Sequence, residues 1–364
     1  MSGRLSALFK LVQPGPKLNP TSMILPGNTT NSIAACASCI RAGGIFGFPT
    51  ETVYGLGANA DDSAAVARIF VAKGRPADHP LIVHVADARG VTHFARDVPD
   101  FAHSLMATFW PGVLTLVLHR RADVATAAAG GNSTIALRCP SHPVAQTLLR
   151  VLMSDIHRVV WGIAAPSANL FGRVSPTTAQ HVQEEFGDEL LILDGGPCNV
   201  GIESTIIDCT RGQLVLLRPG AITPHQVKAI CGLNVLQNQE LSTLDAPDAP
   251  DALAPRASGT LESHYAPHAK VVLLDACALR HKLDALPAKN LNVAVWSRTP
   301  LSARLHLPMP CDAASAAQQL FAVLRYFDAQ GVSQIWVETV PKTTEWDGVR
   351  DRLQRAACTT DSPE

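Results

Sequence analysis

Short apolar runs alternate with amphipathic stretches along residues 31–230, the texture of an α/β or α+β unit. Runs at 81–86, 113–118, 134–137, 159–163, 190–193, 205–207 and 214–217 read as strands. Asp62 suits an N-cap for a helix whose Val66, Ile69 and Phe70 recur at helical spacing. Residues 205–208 and 213–217 flank Thr210-Arg211-Gly212 and predict a hairpin, so the sheet is expected to be mixed.

The pattern breaks at 233–259, where Asp, Ala, Pro and Ser dominate and too little apolar surface remains to fold alone. Beyond it, 271–274, 293–296 and 334–337 read as strands, and 313–326 and 348–357 as helices, a smaller second α/β domain. The expected organisation is a loose tail at 1–30, a first domain at 31–230, a linker at 231–268 and a second domain at 269–364.

A chain of 364 residues is long enough for two cores. Its 47% hydrophobic and 17% charged composition is that of a soluble globular protein, with no apolar run near the ~18 residues of a membrane span. The N-terminal stretch lacks a cleavage site for secretion. Nine cysteines, an odd and scattered set, suggest a reducing cytoplasm; Cys36 and Cys39 read as buried helix residues rather than a metal or redox pair. A net charge of −1 gives little reason to expect a protein that mainly grips nucleic acid.

Composition says nothing about the segment 47–60, GFPTETVYGLGANA, where four polar side chains and two glycines follow an apolar run. Gly55-Leu-Gly57-Ala-Asn-Ala60 superficially matches a dinucleotide fingerprint, but the helix opens only near Asp62 and Asp87 lies too far on. A glycine-rich turn would explain the glycines but not the hydroxyls. Lys73-Gly-Arg75-Pro closes the helix begun at Asp62 and could simply complement its dipole. Gly130-Gly-Asn-Ser-Thr134 leads to a strand ending at Arg138; Pro166-Ser167-Ala-Asn169, Gly201-Ile-Glu-Ser204-Thr205 and Arg218-Pro-Gly220 also mark strand ends. Each alone is ordinary turn chemistry. As a set they imply a polyanion in a cationic, hydroxyl-lined cleft. No P-loop, GxSxG elbow, HExxH or paired CxxC is present, which leaves phosphoryl or nucleotidyl transfer, where a protein mainly positions groups and neutralises charge. His84 and His103 lie in apolar sequence and default to core histidines.

These stretches, in this order, closely resemble the YrdC/Sua5 family of threonylcarbamoyl-AMP synthases, and Ser263-His-Tyr-Ala-Pro after a linker resembles its long, two-domain form. The resemblance implies an open, mixed, twisted sheet around a large concave cavity, with a smaller, Rossmann-like C-terminal α/β domain. It implies a nucleotidyltransferase that joins L-threonine, bicarbonate and ATP into threonylcarbamoyl-AMP and pyrophosphate, with Mg2+ carried on the ATP and no dedicated protein cage. A downstream transferase would use the product to make threonylcarbamoyladenosine at position 37 of tRNA, and direct tRNA binding is expected to be weak at most.

Carried over position by position, Thr52, His84, Arg138, Ser167 and Ser204 would contact threonine. Arg75, His79, Thr134, Asn169, Thr177 and Arg218 would contact ATP, Lys73 would offset phosphate charge, and Tyr265 would fold over the nucleotide as a lid. His79 stands where the family usually has Asn, Ala257-Ser-Gly259 replaces Ser-Pro-Gly, and Trp346-Asp-Gly-Val349 replaces a glycine-rich turn. An RNA-binding module should be more basic. A hydrogenase-maturing carbamoyltransferase would add paired CxxC motifs, and a dehydrogenase fails on the fingerprint geometry.

Overall fold

The computed structural model describes residues 23–237, 264–286, 292–303 and 305–358. Residues 1–22 of the expected tail, most of the linker, Ala257-Ser258-Gly259 and Ser263 lie outside them.

The chain runs β1 (Ile24–Pro26), α1 (Thr30–Arg41), β2 (Phe46–Phe48), β3 (Gly55–Asn59), α2 (Ser63–Lys73), β4 (Ile82–His84), α3 (Ala88–Phe94), α4 (Asp100–Phe109), β5 (Leu114–His119) and β6 (Thr134–Arg138). It continues through α5 (Pro143–Ser154), β7 (Ile163–Ala164), α6 (Ala179–Phe186), β8 (Ile192–Asp194), β9 (Thr205–Asp208), β10 (Leu214–Arg218), α7 (Pro224–Cys231) and β11 (Val235–Gln237). Among the described residues these eleven strands form one sheet, ordered β1-β8-β2-β3-β7-β4-β6-β5-β9-β10-β11. It is mixed, as expected: β4 pairs parallel with β6, β5 antiparallel with β6, and β9–β10 is the predicted hairpin.

The second domain comprises β12 (Lys270–Leu274), α8 (Ala276–Asp284), β13 (Val293–Ser297), β14 (Leu305–Pro308), α9 (Ala313–Ala329), β15 (Gln334–Glu338) and α10 (Asp347–Ala357). Its four strands, ordered β12-β15-β13-β14, pair in parallel.

Local chemistry sets the elements that matter for the site. Asp62 caps α2 by accepting the Ala64 and Ala65 N–H groups at 3.0 Å, and Gly74 ends the helix in the left-handed conformation at φ 62°. Lys73 and Arg75 therefore flank a hard stop. Residues 55–59 form neither a dinucleotide fingerprint nor the glycine-rich turn weighed as its alternative but strand β3, paired antiparallel with β2 and β7. Its glycines are selected by packing: a Cβ on Gly57 would stand 2.8–3.0 Å from Ile163, Phe46 and Phe48. Other differences are smaller. Strand β7, Ile163–Ala164, overlaps the run expected at 159–163 only at its last residue. Strands β1 and β11 occupy parts of the segments read as tail and linker, and β14 and α8 had no counterpart in the sequence reading.

The two domains share apolar packing. Val53, Val174 and Ile202 of the first join Tyr265, Leu320, Phe321 and Val349 in one buried cluster. Gly201, at φ 80°, lies so close to α9 that a Cβ there would fall on the backbone of Gln318. Arg325 of α9 adds an ion pair with Glu185 of α6 at 2.7 Å and donates to the Val174 carbonyl.

Candidate active site

The loop that leaves β2 is held by Thr50, whose hydroxyl accepts the N–H groups of Thr52 and Val53 and donates to the Val53 carbonyl at 2.6 Å. This fixes Thr52, which accepts from Arg138 Nη1 at 2.8 Å. Arg138 ends β6 and also meets Glu51 at 2.6 Å and the Gly112 carbonyl at 3.1 Å. Burial works against the Glu51 carboxylate, yet the charge and hydrogen bonding of Arg138 hold its pKa below the ordinary value.

The fork expected to face threonine thus already has internal partners; a guanidinium's five N–H groups leave two beyond these three contacts. His84, opposite Arg138 in the β4–β6 register, edges onto Phe48 at 5.8 Å between ring centroids. Burial first, then the Arg138 charge, push its pKa down to about 3, so the imidazole is neutral; its Nδ1 has no hydrogen-bond partner among the described residues. A neutral, buried nitrogen of this kind could accept from a small polar guest, while the burial of His84 is also that of the core histidine its sequence suggests.

The cationic side gathers around the end of α2. Lys73 Nζ donates to the backbone carbonyls of Ser167, at 2.6 Å, and of Asn169. The Ser-Ala-Asn segment therefore serves the lysine through its main chain. Asn169 Nδ2 braces its own loop through the Leu170 and Arg173 carbonyls at 2.7 and 2.9 Å, leaving a buried Oδ1 without a described partner. Arg218, at the end of β10, donates to the Ser204 carbonyl at 3.0 Å and to Ser204 Oγ at 3.2 Å, while Ser204 Oγ meets Thr115 Oγ1 at 2.7 Å. Arg75 Nη2 reaches the Pro80 carbonyl at 3.1 Å.

Lys73, Arg75 and Arg218 are electrostatic neighbours. Burial is the main influence lowering the pKa of each, with Arg75 acting on Lys73 and Arg218 acting on Arg75. Concentrated positive charge of this kind is a receptacle for a polyanion. Tyr265 is fully buried over this group: it stacks on Phe321 at 5.3 Å, lies edge-on to His264 at 4.1 Å, and its hydroxyl has no described hydrogen-bond partner. Residues 264–266 dock back onto the first domain, where Ala266 N–H donates to the Gly172 carbonyl at 2.9 Å.

Three further expected residues have contacts of their own. His79 packs against Phe171 at 5.9 Å. Thr177 is tied to His181 Nδ1 and, through its carbonyl, to the Cys198 N–H. Thr134 starts β6, four residues or about 13 Å from Arg138. Among the described residues no cluster of three or more His, Cys, Asp or Glu could hold a metal ion.

The sequence reading assigned no role to Thr115 or Arg352 and took in Glu51 and Glu203 only as members of their motifs. Arg352 carried a visible signal, because it falls among Val349, Leu353 and Ala356 on the buried stripe of α10, where a charge needs a partner. That partner is Glu203, at 3.0 Å.

Two families match the chain: the Sua5/YciO/YrdC family, described as telomere recombination, over residues 38–220, and the threonylcarbamoyl-AMP synthase C-terminal domain over 222–358. A threonylcarbamoyl-AMP synthase of Pyrococcus abyssi is 38% identical over 89% of this chain and 94% of its own. One from Bacillus subtilis is 36% identical over 89% and 92%. Crystallographic P. abyssi Sua5 complexed with L-threonine superposes with a TM-score of 0.76 at 38% identity, covering 89% of this chain and 94% of that one.

Proposed function

The chain belongs to the Sua5/YciO/YrdC family and carries its C-terminal companion domain, and from that premise we propose that it is a threonylcarbamoyl-AMP synthase, a nucleotidyltransferase acting on L-threonine, bicarbonate and ATP. The observation that carries the reading is the coupling of three buried cations, Lys73, Arg75 and Arg218, in the same domain as the hydrogen-bonded group of Thr52, Arg138 and Glu51 that stands opposite His84. One part suits a triphosphate and the other an amino acid.

In this reading the threonine amine condenses with bicarbonate to a carbamate, releasing water. A carbamate oxygen then attacks the α-phosphorus as the bond to the β-phosphate oxygen breaks, so threonylcarbamoyl-AMP and pyrophosphate form. Arg138, oriented by Glu51, offers its remaining N–H groups to the amino-acid carboxylate, and His84 accepts from the threonine hydroxyl or amine. Ser167 and Ser204 contribute hydroxyls to the same end. Arg75 and Arg218 hold phosphate oxygens and Lys73, pinned by two carbonyls, offsets the charge that develops on them.

Asn169 presents Oδ1 to the nucleotide; His79, Thr134 and Thr177 line its outer reach, and Tyr265 covers it. Mg2+ would enter on the ATP phosphates and supply charge neutralisation there. The product passes to a transferase that modifies tRNA position 37. No helix of the described residues is long and apolar enough to cross a membrane.

Pyrophosphate release from ATP tests the proposal. It is expected to require both threonine and bicarbonate, and Arg75→Ala is expected to abolish it with the circular dichroism spectrum and melting temperature nearly unchanged. Release without threonine would point to a plain ATP pyrophosphatase instead.

A further inference from the structure

We propose that Arg352, on α10 of the second domain, is a positioning residue for the nucleotide half of the site, so that ATP affinity depends on how the second domain docks. The inference rests on the synthase reading for the identity of the nucleotide, but its geometry stands independently.

The Arg352 side chain is fully buried and reaches across the domain boundary. Its Nη1 donates to the Pro219 carbonyl at 2.6 Å, and its Nη2 donates to the Glu203 carbonyl at 3.2 Å. These two residues immediately adjoin Arg218 and Ser204, which are themselves joined by two hydrogen bonds. One planar group therefore clamps the main chain next to Arg218, expected at the phosphates, and next to Ser204, expected at threonine.

The same guanidinium pairs with the Glu203 carboxylate at 3.0 Å and with Asp351 at 2.9 Å, and lies 5.6 Å from the ring centroid of Tyr265. Ser175 Oγ donates to the other Glu203 oxygen at 2.6 Å, which fixes the carboxylate from the first domain's side. The helix backbone is pressed onto the strand ends: a Cβ on Gly348 would meet Ile202 at 2.8 Å and Gly220 at 3.2 Å. A shift of α10 would move residues 203–204, 218–219 and 265 together. Lysine could keep a charge beside Glu203 but lacks the planar fork that reaches two carbonyls and two carboxylates at once.

Direct ATP binding by calorimetry, thermal melting and threonine-dependent pyrophosphate release separate the possibilities in wild type, Arg352→Lys, Arg352→Met and the Arg352→Met/Glu203→Gln double variant. The double variant removes the buried pair with Glu203 while Asp351 keeps its partner Arg355 at 2.9 Å, and is included because Arg352→Met alone can fail to fold. Arg352→Lys is expected to melt within a few degrees of wild type yet bind ATP about tenfold more weakly. The double variant is expected to fold and to show at least the same loss, with the KM for ATP rising more than kcat falls. Wild-type ATP affinity in the folded double variant, or affinity and melting temperature recovering together in Arg352→Lys, would reduce Arg352 to a purely structural tie. If wild type binds ATP but releases no pyrophosphate, the synthase reading fails while the affinity comparison still decides the role of Arg352.

Discussion

His84 and His264 are nearly excluded from water, and burial drives both pKa values to about 3. A histidine with a folded pKa below its unfolded value of about 6.5 binds fewer protons when folded. The stability it permits is complete above pH 6.5 and is lost as pH falls toward 3. The lowered carboxylates Glu51 and Glu203 start from 4.5, so the interval from pH 6.5 to 5 belongs mainly to histidines. Each of the two is expected to contribute a slope of up to about 1.4 kcal/mol per pH unit there. Chemical denaturation of His84→Gln across that interval should show a shallower slope than wild type; an unchanged slope would mean that the ring is already protonated in the folded protein. The motif residues themselves were legible in sequence, but their commitments were not. Whether Arg138 faces a ligand or Glu51 is decided by contacts between residues 87 apart in the chain.

At the scale of elements, the strands with alternating or continuous apolar runs were legible because burial demands such runs. Strand β3 was not, because glycine has poor strand propensity and its place there is explained by close packing against Phe46, Phe48 and Ile163. Gly57→Ala is accordingly expected to destabilise the fold by about 1–3 kcal/mol through overpacking, measured by urea denaturation. A neutral result would mean that the rings rotate aside freely. Strand β1 escaped notice for a different reason: three residues on a sheet edge, paired only with β8, carry too short a pattern to read. The docking of α10 was half legible, since a charge on a buried stripe announces a partner but not which one.

For the whole molecule, the division into two domains was visible in the Asp-Ala-Pro texture, whereas their shared core was not. Tyr265, Phe321 and Ile202 pack in one cluster drawn from both units, and Arg325 and Arg352 add polar ties across the boundary. The protein is therefore expected to unfold in a single calorimetric transition. Phe321→Ala, which removes the ring stacked on Tyr265, should lower stability by about 3 kcal/mol. Two resolved transitions in wild type would show that the shared cluster contributes little.

The gathering of Lys73, Arg75 and Arg218 also bears on how a turnover ends. Like charges held together in a buried place attract whatever anion relieves their mutual repulsion, and the departing pyrophosphate does so nearly as well as the triphosphate it came from. The leaving group should accordingly compete with ATP and slow the enzyme as it accumulates, so that adding an inorganic pyrophosphatase quickens the steady state without touching the chemical step.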